Sequence, residues 1–236
     1  MNLILLFEKD FLDPGRVLLS GRRLEHVQSV LKSKLGDELS VGVINGKMGK
    51  GKIVKLTPES VELTVNLSED PPEALPVTLI CALPRPGVVK RLLLSCASMG
   101  IKKIIFLNFN RVEKSLWQSV TLKPNAIEDE LLLGLEQAKD TRLPEVILRP
   151  RFKPFVEDEL PILIEGTKPL LAHPGALQSC PRNLKTPVTL IIGPEGGFVP
   201  FELDKLQSLG FEMFHLGPRI LRTETVVPYI LGRLFG

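Results

Sequence analysis

The sequence predicts an α/β protein, a parallel sheet with helices on both faces, preceded by a smaller β-rich region. Three observations lead there. Residues 77–83 form a nearly continuous apolar run, as expected of a strand buried on both faces of a parallel sheet. From there on, apolar runs alternate with segments of helical spacing, the strand and helix alternation that places strands side by side in one sheet. Ahead of them, Ser68-Glu69-Asp70-Pro71-Pro72-Glu73 is a polar, proline-marked linker, and before it short strands follow one another through turns. The chain therefore reads as two domains, 1–70 and 74–236.

In the first region strands are expected over 3–7, 16–19, 38–44, 51–56 and 60–67. One helix interrupts them over 22–31, with Leu24, Val27, Val30 and Leu31 on one face at helical spacing. Asn45-Gly46 predicts a hairpin turn of type I′, in which both central residues take positive φ. Together these make a small β-barrel with one helix.

In the second region the strand at 77–83 leads to a helix that starts at Pro86 or Gly87 and stops before Gly100, with proline at the start and glycine past the end. A strand at 101–107, a helix at 124–139, a strand at 145–148 and a short helix near 154–160 follow. Strand 170–172 ends at His173-Pro174, and strand 188–192 ends at Gly193. Helix 200–209 stops at Gly210, and a last strand at 211–216 precedes a last helix at 223–234.

Composition excludes several classes. With 44% hydrophobic and 24% charged residues the chain is globular, and a net charge of +3 is too small for a polycation. The apolar start, Met1 to Phe7, is too short to span a bilayer and lacks a basic flank, so it reads as the first strand, and no membrane association is expected. Cys81, Cys96 and Cys180 are odd in number and lie in or near apolar runs. That pattern predicts reduced thiols in a cytoplasmic protein and no metal site. Charge is nevertheless uneven: residues 16–55 hold nine basic side chains, among them Arg16, Arg22, Arg23, Lys32, Lys34 and Lys47, against three acidic ones. This is either a solvated face or a surface that contacts RNA phosphates.

Two loops carry the chemistry. Ile191-Ile192-Gly193-Pro194-Glu195-Gly196-Gly197-Phe198 and Leu216-Gly217-Pro218-Arg219-Ile220-Leu221-Arg222-Thr223-Glu224-Thr225 each join a strand to a helix, and ligands bind beyond the carboxyl ends of such strands. Neither the G-x-G-x-x-G dinucleotide fingerprint nor the G-x-x-x-x-G-K-[ST] phosphate loop occurs. The first loop is therefore either a tight turn or a ligand cradle, and Pro194-Glu195 at its mouth favours the cradle. In the second loop, Ile220 and Leu221 offer an apolar seat for an adenine-like ring and the arginines a partner for phosphate or a developing anion. Thr223 as N-cap and Glu224 in the first helical turn also fit a structural role.

This pair of loops resembles the signature of the ribosomal RNA small subunit methyltransferase E family, which methylates N3 of a uridine in 16S rRNA with S-adenosylmethionine. Leu35-Gly36-Asp37-Glu38, Asn45-Gly46-Lys47, Glu136-Gln137 and Arg142-Leu143-Pro144-Glu145 extend the likeness over most of the chain. The resemblance implies a PUA-like RNA-binding barrel followed by a SPOUT domain, whose C-terminal segment threads a trefoil knot, and a homodimer acting on 16S rRNA or the small ribosomal subunit. It implies that His173, Gly193, Glu195, Gly196, Leu216, Gly217, Ile220 and Leu221 hold the cofactor, although His173 also fits an ordinary loop histidine. Uridine N3 is a poor nucleophile until its proton leaves, so Arg222 is expected to stabilise the anionic uracil and Glu224 to orient it or take the proton.

The chain departs from the family pattern outside the loops. Arg85-Pro86-Gly87-Val88-Val89-Lys90 stands where a Lys-Gly-Asp-Lys-Met-Glu stretch is usual, and Cys96-Ala97-Ser98-Met99-Gly100 where the family has Lys-Ala-Thr-Glu-Leu-Gly. Asp140 replaces an arginine, and Pro228 falls inside the last helix. Two other functions stay open on the sequence: a catalytically silent RNA-binding or ribosome-assembly factor, and a methyltransferase of another RNA.

Overall fold

Strand alternation builds the first sheet. The computed structural model describes residues 2–236, which fall into two compact units. The first runs to Glu73 and takes in Leu132–Leu143; the second holds Ala74–Leu131 and Pro144–Gly236.

The first unit contains β1 (Ile4–Leu6), β2 (Phe11–Asp13), β3 (Arg16–Leu19), α1 (Arg22–Glu25), β4 (Glu38–Val43), β5 (Met48–Leu56) and β6 (Val61–Glu69). The strands form one sheet in the order β1-β4-β5-β6-β3-β2, parallel between β1 and β4 and antiparallel elsewhere. Inward residues of β1 at one end of that order and of β3, next to the other end, Ile4 and Leu6 on β1 and Val17 and Leu19 on β3, share one core with Leu24 and Val27. On β5 the inward places are taken by Gly49, Gly51 and Ile53, while Lys50 and Lys52 face out. A side chain at Gly49 is impossible, because its Cβ would fall 1.9 Å from the Asn66 carbonyl oxygen.

Two local expectations are corrected here. The segment after α1 is a π turn over His26–Val30, in which the Leu31 N–H reaches back five residues to the His26 carbonyl. That extra residue rotates Val30 and Leu31 off the buried face, and they are 65% and 43% exposed. At Asn45-Gly46 the hairpin forms, but only Asn45 has positive φ (56°), and the Gly46 N–H closes onto the Val43 carbonyl at 2.8 Å. The turn is shaped by neighbours rather than by its own preference. Thr141 bonds it through its carbonyl and hydroxyl, and Asn45 Oδ1 accepts the Leu143 N–H at 2.9 Å.

The second unit is a parallel sheet of β7 (Val77–Ala82), β8 (Lys103–Leu107), β9 (Glu145–Arg149), β10 (Lys168–Ala172), β11 (Val188–Ile192) and β12 (Glu212–Phe214). Its order is β12-β10-β11-β7-β8-β9, and every pair is parallel. Its helices are α2 (Pro86–Ser98), α3 (Pro124–Ala138), α4 (Phe152–Pro154), α5 (Leu160–Leu163), α6 (Pro200–Ser208) and α7 (Thr223–Leu234), with the end of α3 belonging to the first unit. Every residue of β11 is buried, which accounts for its lack of alternation. α2 starts at Pro86, and Gly100 past its end has φ +83°. The last strand is three residues long, shorter than the expected 211–216, because the chain leaves the sheet at His215 to begin the second loop.

Candidate functional site

β10, β11 and β12 are neighbours, so the loops that follow them emerge side by side at one edge of the sheet. They enclose a cavity of about 520 Å³, within the usual size of a small-molecule site. His173, Gly193, Glu195, Gly196, Leu216, Gly217, Ile220 and Leu221 all line it, together with Ile192, Phe198, Phe214 and Val226. The wall is thus largely apolar and backbone.

Two histidines shape the loop entries in the same way. His173 ends β10 and its Nδ1 accepts the Gly175 N–H at 3.1 Å; His215 follows β12 and its Nδ1 accepts the Gly217 N–H at 3.0 Å. In each case a His-x-Gly step turns the chain away from the sheet, and Gly217 needs the glycine because its φ is +105°. At Gly193 the requirement is space. A Cβ there would lie 2.5 Å from Cε2 of Phe198, whose ring meets Phe109 edge-on at 5.3 Å.

Glu202 anchors this wall from behind. Its carboxylate, 2% exposed, accepts the Val199 N–H at the start of α6 at 3.0 Å and the Asn110 N–H at 2.6 Å. Helix start and β8 loop are thereby joined through one buried anion. The next residue in that loop, Arg111, donates to the Gly196 carbonyl, and its Cδ would touch a Cβ at Gly196 at 3.2 Å.

A second chamber of about 590 Å³ adjoins the first and shares Glu195, Gly196, Arg222 and Thr223 with it. Its other walls include Arg85, Arg91, Arg111, Glu113 and Glu224. Arg222 lines both spaces, whereas Glu224 lines only the second. Glu224 accepts from Arg91 at 3.1 Å. Its carboxyl is held below the ordinary glutamate range, first by its own backbone N–H and then by the Arg91 guanidinium. Thr223 is buried at the first position of α7 and Arg222 is the N-cap, a correction of the expected Thr223 cap; the extended Arg222 backbone rather than a hydroxyl precedes the helix.

The basic side chains of the first unit divide in two. Arg16 pairs with Asp13 and Glu62, Arg22 grips the buried Glu136 with two bonds of 2.8 and 2.9 Å, and Arg23 grips Asp10 and the Leu5 carbonyl. Lys32, Lys34 and Lys47 are exposed. The three cysteines are buried and free, and burial pushes the Cys180 thiol up to about 11. No group of three potential metal ligands occurs among the described residues, and no helix there is long and apolar enough to cross a membrane.

Sequence reasoning missed Arg85, Arg91, Arg111, Glu202 and His215. The Val199-x-x-Glu202 spacing before a helix and the repeated His-x-Gly step were signals that could have found two of them. The arginines come from two separate segments, the start of α2 and the loop after β8, and have no local signature.

Glycine loops at the ends of parallel strands thus enclose one cavity that opens on a second, arginine-lined chamber. The family model described as RNA methyltransferase domain matches residues 71–234. Ribosomal RNA small subunit methyltransferase E of Treponema pallidum is 31% identical over 232 residues, 95% of this chain and 87% of the relative. Ribosomal RNA small subunit methyltransferase E 1 of Borreliella burgdorferi is 27% identical over 236 residues, 95% of this chain and 93% of the relative. Among solved structures, the Neisseria gonorrhoeae ribosomal RNA small subunit methyltransferase E bound to S-adenosyl methionine superposes with a TM-score of 0.73 at 18% identity, covering 97% of this chain and 95% of that one. The chain belongs to the ribosomal RNA small subunit methyltransferase E family.

Proposed function

We propose that this protein transfers a methyl group from S-adenosylmethionine to N3 of a uridine in 16S rRNA. The observation that carries the reading is the cavity in which all eight loop residues expected to hold the cofactor meet. Its chemistry suits an adenosyl group: apolar side chains of Ile192, Phe214, Leu221 and Val226 for the ring, and the two glycine loops for close backbone approach. When bound, S-adenosylmethionine supplies an electrophilic methyl group on a sulfonium.

The chain's own residues prepare the acceptor. Arg222 reaches both chambers, so its guanidinium is the group to stabilise a uracil that has lost its N3 proton to solvent. Glu224 stays ionised with Arg91 beside it, which suits orienting the base by accepting a hydrogen bond better than taking its proton. Positioning of the acceptor in line with the methyl group then lowers the barrier.

The wider reading follows the same relationship. The first unit acts as a PUA-like RNA-binding barrel, for which its single shared core is the support, with Arg16, Arg22 and Arg23 holding the fold and Lys32, Lys34 and Lys47 meeting phosphates. A trefoil knot is supported by the loop between β10 and β11, which bonds to His215, ahead of α7, through Cys180 and to Leu234, the last residue of α7, through Leu184. The enzyme works as a homodimer in the cytoplasm, where its free buried thiols stay reduced.

Calorimetric titration with S-adenosylmethionine and its demethylated product, followed by nucleoside mapping of 16S rRNA, tests the reading. Micromolar-range binding lost on Gly196→Trp or Gly217→Trp, with N3-methyluridine as product, is the expected result. A folded protein that binds no cofactor would favour a silent RNA-binding factor, and another methylated nucleoside would redirect the substrate.

A further inference from the structure

The second chamber has a composition that the cofactor reading leaves unused. Four guanidiniums, from Arg85, Arg91, Arg111 and Arg222, face three carboxylates, from Glu113, Glu195 and Glu224. Arg111 is engaged with the Gly196 carbonyl and Arg91 with Glu224, but the Arg85 and Arg222 guanidiniums form no hydrogen bond or salt bridge with the described residues. Exposed arginines gathered on one concave wall, with two left unengaged, suit an anion that arrives from outside. The location narrows its identity. A methyl acceptor must sit beside the cofactor cavity, and this chamber shares the Glu195–Gly196 ridge and the Arg222–Thr223 step with it.

We propose that this chamber seats the acceptor nucleotide itself, a uridylate unit splayed out of single-stranded RNA, with its phosphate on Arg85 and Arg91 and its uracil edge toward Arg222. The assignment rests on the methyltransferase reading above and adds the place and the phosphate contacts of the substrate. Base chemistry on RNA requires an unstacked nucleotide, and the roughly 590 Å³ available is of the size that single ligands occupy. Arg91 gives the arrangement a further property. It holds Glu224 in the free protein, and a phosphate that competes for Arg91 releases the Glu224 carboxylate toward the incoming base.

The experiment compares the wild type with Arg85→Ala, Arg91→Ala and the double variant in methyl transfer to 16S rRNA from cells that lack the modification. Arg85 has no partner to lose, so its variant folds whatever Arg91 does. The double variant is expected to raise the KM for RNA about tenfold or more while kcat stays within about threefold, and Arg91→Lys restores part of the loss. Affinity for S-adenosylmethionine, read by calorimetry, is expected to stay unchanged, and the salt slope of RNA binding to fall by about 0.7 for each phosphate contact removed. A wild-type KM in the double variant overturns the proposal. An activity-independent arm uses 4-thiouridine-substituted 16S rRNA crosslinked to the wild-type protein in the presence of S-adenosylhomocysteine. Adducts in residues 222–224, 85–91 or 111–116 support the chamber, and adducts confined to other segments overturn it. If the wild type methylates no RNA, the functional reading fails by itself, and the crosslink still decides whether the chamber binds a nucleotide.

Discussion

Replacing Glu202 with alanine is expected to destabilise the second unit and loosen the cofactor wall at the same time. Its buried carboxylate accepts the Val199 N–H at 3.0 Å and the Asn110 N–H at 2.6 Å. Hydrogen bonds to a charged group contribute about 1.5–3 kcal/mol each. Alanine removes both acceptors and strands two amides in a place where the side chain is 2% exposed, so the expected loss is about 3–5 kcal/mol. For a domain of this size that corresponds to a fall in melting temperature of about 6–20 °C. Scanning calorimetry of the wild type, Glu202→Ala and Glu202→Gln measures it, with the glutamine variant between the others because one acceptor oxygen remains. Freed from Asn110, the loop that carries Arg111 also loses its hold on Gly196, so cofactor affinity is expected to weaken about tenfold. A Glu202→Ala protein that melts within about 2 °C of the wild type would refute the assignment of Glu202 as the anchor.

Gly193→Ala places a methyl 2.5 Å from the Phe198 ring, so the ring must move; a loss of about 1–3 kcal/mol in stability and a marked loss of cofactor affinity by calorimetry are expected. An unchanged Kd would mean that Phe198 does not shape the cavity. Arg23→Ala leaves Asp10, whose side chain is 5% exposed, without its guanidinium, so denaturant unfolding is expected to show a loss of about 3–5 kcal/mol with cofactor affinity unaltered. RNA binding by the first unit is therefore better tested with Lys32, Lys34 and Lys47, whose removal is expected to weaken binding and flatten its salt dependence without unfolding. Glu224 has a depressed pKa, so its ion pair with Arg91 is present above the ordinary glutamate value of about 4.3 and lost as pH falls through the lower folded value. The methyl-transfer rate is then expected to climb toward alkaline pH as uridine N3 loses its proton, with no inflection from Glu224 between about pH 5 and 7. An inflection there that disappears in Glu224→Gln would assign the proton to Glu224 instead.

The parts of the fold legible in the sequence are those set by local chemistry. Strands 16–19 and 188–192 and helix 223–234 begin and end where apolar runs and neighbouring breakers place them. The expectations that failed were decided by distant residues. Asn45-Gly46 has the composition of one turn and adopts another because Thr141 and Leu143 bond to it from about a hundred residues away. Residues 132–143 pack with the first unit although their helix begins in the second, and helical periodicity holds no mark of that change. The wall of the first cavity was readable because each loop keeps its glycines and apolar residues contiguous. The second chamber was not, since Arg85, Arg91 and Arg111 approach it from α2 and from the segment after β8.

The same difference in how the walls are held distinguishes the two chambers. The loops of the first cavity are fixed from inside the protein: two imidazoles bond to loop amides, and Glu202 and Arg111 brace the ridge at Gly196. A site held this way has little ordering left to do when its ligand arrives, which favours affinity for one rigid molecule. The second chamber is walled by long, exposed arginines, and each one immobilised by a ligand gives up about 1–2 kcal/mol of rotamer freedom. Such a wall adapts to a flexible strand at the expense of affinity, and under the proposed function tight binding of RNA then falls to other groups, for which the exposed lysines of the first unit are the candidates. Arg222 belongs to both chambers, and ordering it for one ligand removes part of the entropy loss for the other. By linkage, any tightening of RNA by bound cofactor must equal the tightening of cofactor by bound RNA. With one arginine shared, that factor is limited to about five- to thirtyfold.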